Sequence, residues 1–154
     1  MELSLLDRLT DQEPDSSNEA QLSSWEESRM FKAALCRDLA VLLNTRRAAE
    51  DFSPVFAEAT NSLLTFGVVD FTAFNLKNQP EQERVRRSME RAIREFEPRL
   101  GRITVTVEPP DPLKPILRFQ IAAVLRTGSA GEDVLFDATL RRDSRRFAVS
   151  GANQ

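Results

Sequence analysis

The spacing of apolar residues changes period at Pro98. Before it, Phe31, Leu35, Leu39 and Leu42 recur every three or four positions, and so do Val85, Met89, Ile93 and Phe96. That spacing gathers side chains on one face of an α-helix. After it the pattern alternates: Ile103, Val105 and Val107, then Leu117, Phe119, Ile121, Ala123 and Leu125, then Val134, Phe136, Ala138 and Leu140, and lastly Phe147 with Val149. Alternation marks strands with one buried face. Pro109, Pro110 and Pro112 interrupt the first two strands, and Gly128 to Gly131 supply a turn after the second. The order predicts an α+β fold, with N-terminal helices packed on one face of a C-terminal antiparallel sheet of about four strands.

The helices carry their own punctuation. Ser23 or Ser24 begins the first, and Ser24 with Glu27 fits the capping-box spacing. Leu39 to Leu43 is apolar almost all round, which predicts a well-buried helix. It ends near Asn44-Thr45-Arg46-Arg47, where cations favour the negative end of the helix dipole. A second helix is expected from Ser53 and Pro54 to Gly67, with Phe56, Ala59, Leu63 and Phe66 as its stripe. Residues 67–79 read as an irregular connection with buried aromatics. Pro80 and Glu81 open the third helix and Pro98 stops it. Its outer face holds Arg84, Arg86, Arg87, Arg91 and Arg94, with Glu83 and Glu90 four residues before Arg87 and Arg94.

At 154 residues the chain suits one domain. Residues 10–24 are polar and read as a flexible linker, so residues 1–24 form an N-terminal arm, 25–150 the domain and 151–154 a tail. The arm carries Leu3, Leu5, Leu6 and Leu9, a short apolar motif that either folds onto a partner or caps its own domain. Met1 to Thr10 includes Glu2 and Asp7 and lacks the basic end and apolar stretch of a signal peptide. No apolar run approaches the roughly 18 to 20 residues of a membrane span. The expectation is a cytoplasmic protein without membrane insertion.

The chain has no histidine and one cysteine. Ser-His and Cys-His nucleophile pairs are therefore excluded, as is a structural zinc tetrahedron. No glycine pattern fits a phosphate loop. No cofactor and no metal are expected. Cys36, in an apolar run, reads as a small packing residue. Charge is uneven: residues 1–83 hold 7 basic and 15 acidic residues, and residues 84–154 hold 14 and 9. The basic groups are 18 arginines against 3 lysines. Because acidic residues alternate with them, a protein interface or solvated face is expected rather than a nucleic-acid surface.

Four segments occur in order along the chain: Leu5-Leu6-Asp7-Arg8-Leu9, Arg37-Asp38-Leu39 through Asn44-Thr45-Arg46, Ser62 through Phe71, and Ile93 through Phe96-Glu97-Pro98-Arg99-Leu100. Together they resemble the TssE family of type VI secretion baseplate subunits, which is shared with wedge proteins of contractile-phage baseplates. The resemblance implies a non-enzymatic structural subunit that builds the wedge with TssF and TssG and helps the sheath of TssB and TssC begin, with TssK as a further partner. It also implies a baseplate docked at the inner-membrane complex, and assigns Glu97, Pro98 and Arg99 to the contact with TssF and TssG.

The residues themselves support a corner at that position. Pro98 fixes the turn from helix to strand, from which Glu97 and Arg99 are expected to project, able to make charge-assisted bonds. They either meet a partner or pair within the domain; both can hold together. The last strand offers a second contact, since an open edge invites strand addition. Arg146, Phe147 and Val149 are the candidates there; the alternative is a short strand flanked by Arg141, Arg142, Arg145 and Arg146, charges that prevent pairing. An interaction module with another partner shares all of these inferences. Peptidoglycan hydrolysis, which an old lysozyme-like name of the family raises, needs two carboxylates and usually aromatic platforms; here there is one tryptophan, expected to pack beside the first helix cap, and no tyrosine.

Overall fold

The computed structural model describes residues 24–48, 55, 57–60, 62–109, 116–126, 131–141 and 143–151. Helix α1 spans Ser24–Asn44, a short α2 spans Ala57–Thr60, and α3 spans Gln79–Phe96, with a 3-10 turn at Leu63–Thr65 between the last two. The strands are β1 (Leu100–Val107), β2 (Ile116–Leu125), β3 (Glu132–Arg141) and β4 (Phe147–Gly151). They pair antiparallel in the order β1-β2-β3-β4. This is the α+β arrangement that the change of period implies.

Burial alternates strictly along β2, so Leu117, Phe119, Ile121, Ala123 and Leu125 face the core. α1 adds Leu35, Leu39 and Leu43, and α3 adds Val85, Met89 and Ile93. Each such side chain contributes about 1.5–3 kcal/mol on burial. Cys36 packs against this core as a partly buried apolar residue. Early in β1 the register shifts between Gly101 and Thr104, and Arg102 takes φ 46°. The extra residue is a β-bulge, which brings Ile103 and Val105 back to the inner face.

The helix ends follow their side chains. Asn44 Nδ2 donates to the Ala40 carbonyl, Thr45 Oγ1 to that of Val41, and Arg46 to that of Leu43. These side chains add donors to carbonyls near the helix C-terminus. Thr45 and Val68 then run side by side: Val68 N–H donates to Thr45 O at 2.9 Å and Arg47 N–H to Val68 O at 3.0 Å. Gly67 makes the approach possible, with φ 101° and no room for a Cβ beside the Thr45 carbonyl oxygen.

Two expectations need correction. The second helix does not run continuously to Gly67. Ser62 interrupts it, because its hydroxyl donates to Ala59 O and accepts from Leu64 N–H, starting a separate turn. Leu63 is consequently 85% exposed rather than part of a buried stripe, while Phe66 meets Phe96 edge-on at 5.1 Å. Ser53, Pro54 and Phe56 lie outside the described residues. Trp25 does not pack beside a cap; it is 66% exposed, with the Arg29 guanidinium 5.1 Å from its ring centroid. Among the described residues no helix is long and apolar enough to cross a membrane.

Candidate interaction site

α3 ends where the Glu97 N–H donates to Ile93 O, and β1 begins three residues later. The corner between them is closed by two backbone bonds, Leu100 N–H to Glu97 O and Arg126 N–H to Arg99 O. Pro98 sits exposed at its tip. A helix terminus, a proline and a strand start therefore define the direction of every side chain here.

Within the corner, Arg99 makes a forked contact with Glu97, Nε to Oε1 at 2.7 Å and Nη2 to Oε2 at 2.6 Å. The same Nη2 reaches Asp38 Oδ2 on α1 at 2.6 Å. Bidentate pairing of this kind suits the planar guanidinium. The Glu97 hydrogen bond, followed by that of Asp38, holds the Arg99 guanidinium more firmly protonated than usual, against the opposing effect of its burial. The Phe31 ring lies 5.7 Å from the guanidinium carbon. Glu97 is only 5% exposed, so it does not project as expected: it turns inward and orients Arg99. The pairing within the domain is thus real, and it joins three elements rather than two. Asp38 was not singled out for this role from sequence, although it stands inside the Arg37-Asp38-Leu39 segment that carried the resemblance.

The β4 edge is less open than alternation implies. Phe147 offers both backbone groups outward, and the Asn44 side chain takes both: Nδ2 donates to Phe147 O and Oδ1 accepts from Phe147 N–H, each at 2.9 Å. Four residues on, the Gly151 N–H donates to the Cys36 thiol, while burial pushes that thiol's pKa up. Phe147 itself is buried and meets the Phe71 ring edge-on at 5.5 Å. Val149 is partly buried and Arg146 is exposed. Arg145, expected to guard the edge, turns inward instead. It takes φ 55°, donates to the carbonyls of Phe71 and Phe74, and has its own carbonyl held by Arg46 at 3.1 Å.

At the opposite edge, Arg86 Nη1 donates to Val105 O at 3.2 Å. A groove of about 820 Å³ lies there between α3 and β1, lined by residues that include Pro80, Glu83, Arg86, Val107 and Glu108. Among the described residues no group of three histidine, cysteine or carboxylate side chains is placed to hold a metal. Leu5, Leu6 and Leu9 lie outside the described residues.

A scan against protein-family models matches residues 29–130 to the family described as baseplate wedge protein gp25. A search of curated proteins found no match. The matched span runs from α1 through the corner and past β2, and the chain belongs to this family of phage baseplate wedge and TssE proteins.

Proposed function

We propose that this member of the wedge family is a structural subunit of a type VI secretion baseplate, binding TssF and TssG through the corner at Glu97-Pro98-Arg99. The observation that carries the reading is the clamp on Arg99. Two carboxylates fix the guanidinium before any partner arrives, so an incoming group meets an ordered surface around exposed Pro98. Preorganisation lowers the entropy lost on binding. In this reading Glu97 and Asp38 act indirectly, by setting the corner, and Pro98 with the outer rim of Arg99 makes the contact.

The same reading assigns the chain a part in starting the sheath of TssB and TssC, with the baseplate docked at the inner-membrane complex and TssK as a neighbour. Strand addition beside Arg146, Phe147 and Val149 must displace the Asn44 amide from Phe147. Asn44→Ala should therefore strengthen pairing by a sheath strand while weakening the isolated domain. Leu5, Leu6 and Leu9 enter as a tethered motif, and removal of residues 1–9 should reduce wedge binding if they dock on a partner.

Co-expression with TssF and TssG from the same bacterium tests the proposal. Co-purification of the three chains at fixed stoichiometry is the expected result. Recovery of a TssF–TssG complex without this chain would refute it.

A further inference from the structure

The corner between α3 and β1 holds two kinds of arginine. Arg99 is already answered by Glu97 and Asp38, each at 2.6 Å, so it has no charge to spare for a partner. Arg102 and Arg126 flank the same corner and are both exposed. Among the described residues neither of their side chains makes a hydrogen bond or an ion pair.

Arg126 is tied to the corner by its backbone, whose N–H donates to Arg99 O at 2.8 Å. Its head group lies over Gly101: Nε is 3.1 Å and Nη2 3.6 Å from where a Cβ at that position would stand. A side chain at 101 would crowd the head group, so glycine leaves it room beside the strand. Arg102 sits in the bulge. Gly101 pairs with Val124 and Thr104 with Ala122, so Arg102 and Ile103 together oppose Ala123. Ile103 turns into the core and Arg102 turns out. A left-handed first residue of a bulge is ordinarily glycine, because a Cβ makes that backbone costly. Here it is arginine, at φ 46°, and no polar bond of its side chain offsets the cost. A strained residue whose charged group meets nothing in its own fold points to a role outside it.

We infer that Arg102 and Arg126 form a cationic rim that receives carboxylates of the partner seated on Pro98. This rests on the reading of the corner as the contact with TssF and TssG. It adds the chemistry of the surface that meets the corner: an acidic segment, with a carboxylate for each guanidinium. Arginine's planar head takes a carboxylate through two parallel N–H bonds and is less strongly hydrated than an ammonium. Asp133 on β3 stands opposite Val124 and forms no ion pair with either arginine, so both forks stay open. Two guanidinium groups neutralise too few phosphates to make a nucleic-acid surface. The corner then divides its roles. Glu97 and Asp38 set its shape through Arg99, while Arg102 and Arg126 supply the charge that draws the partner in. Exposed charges at the rim of an interface act mainly on the association rate and its dependence on salt.

The test measures association of the full chain with co-expressed TssF–TssG by interferometry at rising ionic strength. Wild type should associate fastest at low salt. The double change Arg102→Glu and Arg126→Glu should lower the low-salt rate constant by about tenfold or more and flatten its dependence on salt. Arg102→Gly removes the head group and suits the bulge, so it should melt no lower than wild type while lowering the rate by about threefold. A control, Arg118→Glu with Lys77→Glu, changes net charge equally but away from the corner and should lower the rate far less. Dichroism melts show which variants fold, and Arg102→Gly carries the test if the double reversal does not. No binding by wild type would overturn the wedge reading and this inference with it. Wild-type binding with an unchanged rate in either folded corner variant, or an equal loss in the control, would overturn this inference alone.

Discussion

Helices α1 and α3 lie on the same face of one sheet, yet they use their polar side chains in opposite ways. On α3 the exposed charges mostly pair with residues three or four positions away. On α1, Lys32 reaches Glu132, Asp38 reaches Arg99 and Asn44 reaches Phe147, separations of 100, 61 and 103 residues. Local pairs stabilise a helix that already exists. Long-range bonds hold the helix to the sheet, so their loss should be felt by the whole domain. The lesson is that arginine count is a poor guide to importance here. The arginine-rich helix is largely self-contained, and one aspartate and one asparagine of α1 connect the parts.

The contrast can be broken most sharply at the corner. Glu97→Ala leaves the partly buried Arg99 with Asp38 alone, and should lower unfolding free energy by about 2–3 kcal/mol. Gly67→Ala forces a Cβ against Thr45 at a positive φ, and should cost about 2 kcal/mol where the chain leaves α1. Asn44→Ala exposes two backbone groups of Phe147 and should cost about 1–2 kcal/mol, with faster amide exchange in β4. Arg87→Ala on α3 should cost no more than about 0.5 kcal/mol. Chemical denaturation of the four variants measures all of these. An Arg87 effect as large as that of Glu97 would erase the distinction between the helices.

The smallest effect concerns pH. Hydrogen bonds from Arg86, then Arg87, hold the Glu83 carboxyl at about 2 rather than 4.5. A depressed carboxyl contributes stability that is complete above its unfolded value and is lost as pH falls through its folded value. The Glu83 contribution should thus fade between pH 4.5 and about 2. Melting curves of Glu83→Gln should show a shallower acid loss than wild type across that window, and parallel curves would show that the pair adds nothing.

Much of this was legible in the residues. The change of period at Pro98 marks the boundary between helices and sheet, and Val85, Met89 and Ile93 are buried as their spacing implies. The pairs Glu83–Arg87 and Glu90–Arg94 form as four-residue spacing implies. What was not legible came from tertiary geometry. Spacing along α1 does not show that Asp38 ends beside a residue 61 positions later. Nor does an arginine-rich turn show that Arg145 folds inward onto the carbonyls of Phe71 and Phe74. The apolar run at Leu39 to Leu43 did signal burial, but the isolated domain covers only part of it, and Val41 remains exposed.

The most direct test of the central claim compares wild type with Pro98→Glu in capture of TssF and TssG, alongside thermal melts of both. Pro98 is exposed and makes none of the bonds that clamp Arg99. A bulky charge there should abolish capture in a protein that still folds, with the lost proline restraint lowering the melting temperature by no more than a few degrees, because the bonds from Leu100 N–H to Glu97 O and from Arg126 N–H to Arg99 O still close the corner. Full capture by a folded Pro98→Glu protein would contradict a contact at this corner.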